Sequence, residues 1–414
     1  MTPERVFQIL TGIGLITGGW LYGEYWKNSR LELGDGEEAS VLRAENSELT
    51  TRIDELEDDL AKVRAMLADG PYPIPKDMIS WVETDYNMVY LSAPEVRLAP
   101  PQEIQATAEA NLKFVHGEDG LTGENLAWEL LGLLPPDQRL MGQLVMVNSA
   151  GAKGIFDLTS EKILISENFD SVSVPDRSVL VRLLGQLLSF QNHPQKSWET
   201  RDEWQAWQSV HVGSSGASAS RFLRRNAAAN EAEFQDPELA REELLNDLAP
   251  ALQGFSNFPY LDGANYSRFF YLDSREAFAR MFREPARTTA TILHPNRRNV
   301  QYHTVEFPDQ TGTLLTSNQI GELGLRLWLE PYAGILEAGP LAEEWRGDRY
   351  EVRDYNGQIH LVWRIALSSE KAAASLAAEV ERSMLVGLGE IQPKRKLEIS
   401  SEGTLFTFRN SPRE

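Results

Sequence analysis

Cysteine is missing from all 414 residues, which excludes disulfides, thiolate metal sites and a cysteine nucleophile. Histidine is scarce as well. The six (His116, His193, His211, His294, His303 and His360) include no pair at i, i+4, so no H-E-x-x-H zinc helix can be written anywhere in the chain. Positive charge is outnumbered, 40 Lys and Arg against 61 Asp and Glu, for a formal charge of −21. That balance argues against nucleic acid as a partner, because phosphate binding needs a cationic face. No G-x-S-x-G nucleophile elbow occurs, and no carboxylate pair stands out among so many acids.

What is present is enough apolar residue, 42%, for a sizeable core and two or three domains. The run from Val6 to Gly23 carries no charge and is about the minimum length of a membrane-crossing helix. Trp20, Tyr22, Tyr25 and Trp26 gather at its far end, as aromatic residues do at a bilayer interface. Residues 1–28 therefore read as a single-pass membrane anchor. A cleaved signal peptide is the alternative, although no A-x-A-like site follows. Gly14-x-x-x-Gly18 and Gly19-x-x-x-Gly23 would let two such helices approach closely.

Residues 38–69 turn charged and periodic. Leu42, Leu49, Leu56 and Val63 recur every seven residues, and Asn46, Ile53, Leu60 and Leu67 form the second seam. This heptad pattern predicts a coiled-coil stalk, and Asn46 at an a position favours a parallel, in-register homodimer. Arg52 would face Glu57 of the second copy, and Asp59 would face Arg64. A lone amphipathic helix is the competing reading. Prolines in GPYPIPKDM then predict a stiff linker over 70–94.

Helices are expected over Pro101–Phe114, Asn125–Leu134, Pro237–Leu252, Asn265–Phe282, Asn318–Leu329 and Lys371–Leu385, and a short strand over Ile163–Ile165. The Gly- and Ser-rich stretch between Gln191 and Arg225 reads as a loop. Near the C-terminus Asn356-Gly357 predicts a hairpin between Tyr350–Arg353 and Ile359–Ile365, and Lys396–Arg409 a final strand pair. The fold class is α+β, dominated by helix.

The most apolar internal segment is LVRLLGQLLSFQNHP, Leu180 to Pro194. Arg182 and Gln186 are its two polar residues before Ser189 and stand four apart, on one helical face. That is the spacing of an H-E-x-x-H helix with Arg182, Leu183 and Gln186 at its three chemical positions. Flanking segments give the spacing meaning. LLGLLPPDQRL (130–140), GIFDLTSEKILIS (154–166), FPYLDG (258–263), PARTTATILHP (285–295) and WRGDRY (345–350) resemble, in order, signatures of a bacterial and archaeal family of H-E-x-x-H zinc metallopeptidases.

The resemblance implies a zincin-like domain, with residues 95–300 as a degenerate metallopeptidase-like domain and 301–414 as an α+β portion packed on it. It implies scaffold roles for Phe258, Pro259, Tyr260, Gly263, His294, Pro295, Trp345, Gly347, Asp348, Arg349 and Tyr350. It also implies that the chemistry is gone. The family's two zinc histidines and catalytic Glu are replaced by Arg182, Leu183 and Gln186. Its third ligand, a Glu in an A-L-V-E-G-D-A-like stretch, falls near Gly213 in VGSSG, and the Glu of its S-T-E-Q-I-L-H-P motif is Ala290. The expected protein is an inactive, membrane-anchored pseudopeptidase without cofactor, its large domain on the extracytoplasmic side, binding an unidentified peptide or protein. It would dimerise through Asn46, Ile53, Leu56 and Leu60.

In a peptidase of this kind the 163–165 strand would be the edge to which a peptide adds. Arg182 is expected to pair with a carboxylate left behind by the lost metal, or else to snorkel to solvent. Two other functions stay open: a structural envelope protein working through its coiled coil, and a hydrolase with a rebuilt zinc site at His193, His211 and Glu231 or Glu233.

Overall fold

Proline, small hydroxyl residues and glycine punctuate the helices. The computed structural model describes residues 46–54, 71–195, 197–226, 245–246, 248–297, 300–307 and 311–413. Helix α1 (Lys76–Tyr86) follows Pro75 and is closed by Asn87, left-handed at φ 53°. Strand β1 (Val96–Ala99) leads to α2 (Pro101–His116), which begins on proline, and α3 (Gly120–Leu131), which stops at Gly132 with φ 78°. Next come α4 (Leu140–Ser149), β2 (Gly154–Asp157) and β3 (Lys162–Ser166). Ser173 caps α5 (Val174–Asn192) by accepting the Asp176 N–H, with Pro175 in the first turn.

Beyond it lie α6 (Arg201–Asn226), α7 (Pro250–Asp273), α8 (Arg275–Arg283) capped by Ser274, and α9 (Thr289–Leu293) capped by Thr288. The C-terminal part contains β4 (Thr313–Asn318), α10 (Gly321–Ala333), α11 (Ile335–Glu343), β5 (Trp345–Tyr355) and β6 (Gln358–Leu367). It then continues through α12 (Glu370–Glu379), a π turn over Val380–Met384, α13 (Leu385–Ile391), β7 (Arg395–Glu402) and β8 (Leu405–Pro412).

The class is α+β, as expected. A three-stranded sheet has order β1-β3-β2, with β1 parallel and β2 antiparallel to β3. An antiparallel five-stranded sheet has order β4-β5-β6-β8-β7. One hydrophobic core joins them, running from Val96 and Ile163 through Leu180, Leu184 and Leu188 to Trp328, Trp363 and Phe408. Helix α5 is central because its apolar residues go all the way round: Leu180, Val181, Leu184, Leu187 and Leu188 are fully buried.

Three expectations change. The stretch read as a linker holds α1, whose Met78, Val82 and Tyr86 recur every fourth residue and are buried in the core. The stretch read as a Gly/Ser loop is a 26-residue buried helix, α6. Strand β3, read as an edge, is the middle of its sheet, and the antiparallel edge is β2. Asn46 and Ile53 lie on the helical stretch 46–54, where Asn46 is exposed and Ile53 half-buried. Leu56, Leu60, the rest of the stalk, the 1–28 anchor and most of the helix expected over 237–252 fall outside the described residues. Among the described residues no helix is long and apolar enough to cross a membrane.

Candidate binding site

Serine and glycine in α6 serve close packing. Buried Ser209, Ser214 and Ser215 return their hydroxyls to the carbonyls of Gln205, His211 and Val212, which answers these polar groups inside the helix contact, whereas the buried Ser218 hydroxyl has no partner. Against α5 the register is antiparallel: Gly185 faces Ser215, and Ser189 Oγ lies 2.9 Å from His211 Nδ1. Against α7 it is parallel, with Gln205 Nε2 donating to the Phe255 carbonyl at 2.7 Å and Gly213 touching Gly263. A Cβ on Gly213 would stand 2.3 Å from the Gly263 carbonyl carbon, and one on Gly263 would stand 2.5 Å from the Ser209 carbonyl oxygen. Only glycine permits this backbone contact. The glycine of FPYLDG and the position of the expected third ligand are thus one packing device.

Beside it, α2, α4, β2, α5, α6 and α7 enclose an open cavity of about 630 Å³. From α6 the lining residues are Arg201, Trp204, Gln205, Trp207, Gln208, His211, Val212, Gly216, Ala219, Ser220 and Leu223. They form one continuous helical stripe about 33 Å long, at about 1.5 Å rise per residue. Opposite stand Arg182, Leu183 and Gln186 of α5, with Pro259 and Tyr260 of α7, Lys153, and residues 154–156 of β2. The three altered chemical positions therefore share one wall of one cavity. Val212 and Gly216, which flank the expected third-ligand position, face it.

The cavity's charges are matched with one exception. Lys153 pairs with Asp176 at 3.1 Å, and Arg201 with Glu124 at 2.7 Å in full burial. Arg201 also lies over Trp128, 4.8 Å from its ring centroid, and its Nε has no partner. Arg182, half-buried, donates to the Tyr260 hydroxyl at 3.0 Å and stands 5.7 Å from the centre of that ring. Among the described residues no carboxylate pairs with it, which corrects the expectation of an acid left behind. The imidazoles here are held neutral. Burial pushes His116 down to about 4, with Arg201 adding to the effect, and His116 Nε2 has no partner. Burial pushes His211 down to about 3, helped by neighbouring His193. Both His193 and His211 pack on Phe282, and Glu231 and Glu233 lie outside the described residues.

No family model, curated protein or solved structure matches the chain. The residues named from the resemblance therefore stand on their geometry alone. Among the described residues no three His, Asp or Glu side chains are grouped to hold a metal ion.

The remaining motif residues are structural in place. Phe258 is buried, and Ala290 is buried in α9. His294 ends α9, its Nε2 is 2.6 Å from Glu322 Oε1, and half-buried Pro295 follows in a turn. In WRGDRY, Trp345, Asp348 and Tyr350 are buried, Gly347 fits against the His303 carbonyl, and Arg349 Nε donates to Ser317 at 2.8 Å.

Tyr260 was named for scaffold alone, yet its hydroxyl and ring hold Arg182 at the cavity. Arg201, Trp204, Trp207 and Gln208 were not singled out at all. Their i, i+3, i+6, i+7 spacing is helical, but the glycines and serines that follow hide the helix they begin.

Proposed function

We propose that this protein is a pseudopeptidase: a zincin-like domain without zinc chemistry whose cavity holds an extended segment of a peptide or protein partner. The N-terminal residues anchor it in a membrane with the domain outside, and the stalk makes it a parallel dimer. One observation carries the reading. The positions where a metallopeptidase would have its metal and base, Arg182, Leu183 and Gln186, line the same open cavity as Val212 and Gly216. The altered positions thus border a space open to a ligand.

Peptide is the favoured content because β2 is an edge strand and residues 153–156 line the cavity. Its outer side offers backbone groups to an added strand, apart from the Phe156 carbonyl, which accepts from Asn111 at 2.8 Å. The intact chain, purified in detergent and incubated with a randomised decapeptide pool, should retain peptides and return them at unchanged mass. Products that disappear on chelation would make it a metallopeptidase after all. Retention of nothing would remove the binding role.

A further inference from the structure

We propose that Arg182 is the recognition residue of this cavity and that the bound peptide presents a carboxylate to it, either its C-terminus or an acidic side chain. The inference rests on the peptide-binding reading and assigns the chemistry of the segment.

A guanidinium carries five N–H donors and cannot be neutralised. Arg182 spends one, on the neutral Tyr260 hydroxyl, while the ring faces its charge at 5.7 Å. Partial burial of a charge with so little compensation is unfavourable unless a counter-charge arrives. Among the described residues the lining supplies none. The one carboxylate among the described lining residues, Asp176, is held by Lys153 and by the Asp170 N–H, and Glu124 answers Arg201. A single surplus cation suits a monoanion, and the planar fork of arginine suits a carboxylate in particular. Tyr260 fixes the fork without neutralising it.

A second observation points the same way. The cavity is lined by the side-chain amides of Gln186 on α5 and Gln208 on α6 as well as by aromatic rings. Amides that face a cavity are normally answered by donors and acceptors, which suits an occupant with a polar backbone. Peptide carbonyls and N–H groups provide them, and the Gln205 amide needs none because it already donates to the Phe255 carbonyl. An unbroken hydrocarbon tail would leave those amides unanswered.

The test is equilibrium dialysis of the full chain against three pools of randomised N-acetylated octapeptides, read by mass spectrometry. The first has free C-termini and no Asp or Glu; the second has amidated C-termini and one Glu; the third has amidated C-termini and no acid. Wild type should retain the first or the second at least tenfold over the third, and which one it prefers identifies the carboxylate. Arg182→Gln should erase the difference. Gly216→Glu should erase it independently, because a Cβ there meets nothing within 4 Å and the new carboxylate competes for Arg182 from inside the cavity.

Equal retention of the third pool, or a preference that survives both variants, overturns the role of Arg182 and leaves peptide binding standing. Retention of octanoate with no peptide retained, or of no probe at all, overturns the peptide reading and this inference together. If Arg182→Gln does not fold, Gly216→Glu carries the test.

Discussion

The Asp348 carboxylate accepts four hydrogen bonds, from the Ile320 and Gly321 amides and the Trp345 and Trp363 indoles. The Arg182 guanidinium makes one, to a phenol. Asp348 is fully buried, whereas Arg182 is half-buried in the cavity wall. Asp348 is closed: it caps the start of α10, pins two tryptophans, and leaves no acceptor for anything else. Arg182 is open. A buried charge that is fully answered holds a fold together, whereas a half-answered charge facing a cavity is suited to something that comes and goes.

That contrast sets the order of expected effects. Asp348→Ala should be the most damaging substitution, stranding four buried donors at a cost of about 4 kcal/mol or more. Denaturant unfolding, or failure to obtain soluble protein, would register it. A milder loss would mean that water enters and replaces the carboxylate.

Next comes a comparison inside α6. Gly213→Ala forces a methyl into the Gly263 backbone and should cost about 3 kcal/mol. Gly216→Ala, one turn on and with open space around it, should gain up to about 1 kcal/mol from helix propensity. Equal unfolding midpoints for the two variants would refute the close helix crossing.

A third prediction concerns pH. Asp202 accepts the Thr289 N–H and hydroxyl, at 2.9 and 2.6 Å, and is fully buried. Burial, with nearby Asp348 adding, pushes its carboxyl up from 3.8 to about 7. A carboxyl raised on folding favours the folded state while protonated. Its contribution is complete below about pH 4 and is lost as pH rises through about 7. Asp202→Asn should therefore gain stability relative to wild type on going from pH 4.5 to pH 8. A difference that does not move with pH would mean that Asp202 is ionised throughout.

The smallest effect is expected at the cavity. Arg182→Leu leaves no partnered carboxylate behind among the described residues, so it should change stability by under about 1 kcal/mol. A loss of several kcal/mol in urea would reveal an acid that Arg182 neutralises internally.

How far the sequence foretold this depended on the range of the signal. Local chemistry was readable: Asn356 and Gly357, both at positive φ, make the β5–β6 hairpin where their pairing placed it, and Pro101 starts α2. Helix α5 was legible from its continuous apolar residues. What failed required knowing the neighbour. Gly213, Ser214 and Ser215 look like a loop until α7 is seen to run against them at backbone contact. Met78, Val82 and Tyr86 look like a short run after prolines until α5 and α6 are there to bury them. Strand β3 could not be told from an edge, since pairing on both sides is a property of the sheet and not of the strand. The cavity was half visible, because Arg182 and Gln186 lie four apart on one helix while the stripe facing them lies on another.

The tryptophans of α6 give the cavity an optical property. Trp204 and Trp207 lie with ring centroids 5.1 Å apart and 17° between planes, and Trp198 stands edge-on to both. Indoles this close share their excited states, so the near-ultraviolet circular dichroism of the folded chain should be dominated by this group. Trp207 also rests 4.3 Å from His211, an imidazole that stays uncharged down to about pH 3 and so does not switch on the quenching that a protonated ring causes. Emission from this wall should thus be steady across the working pH range and respond to whatever enters the cavity. The protein carries its own gauge of occupancy.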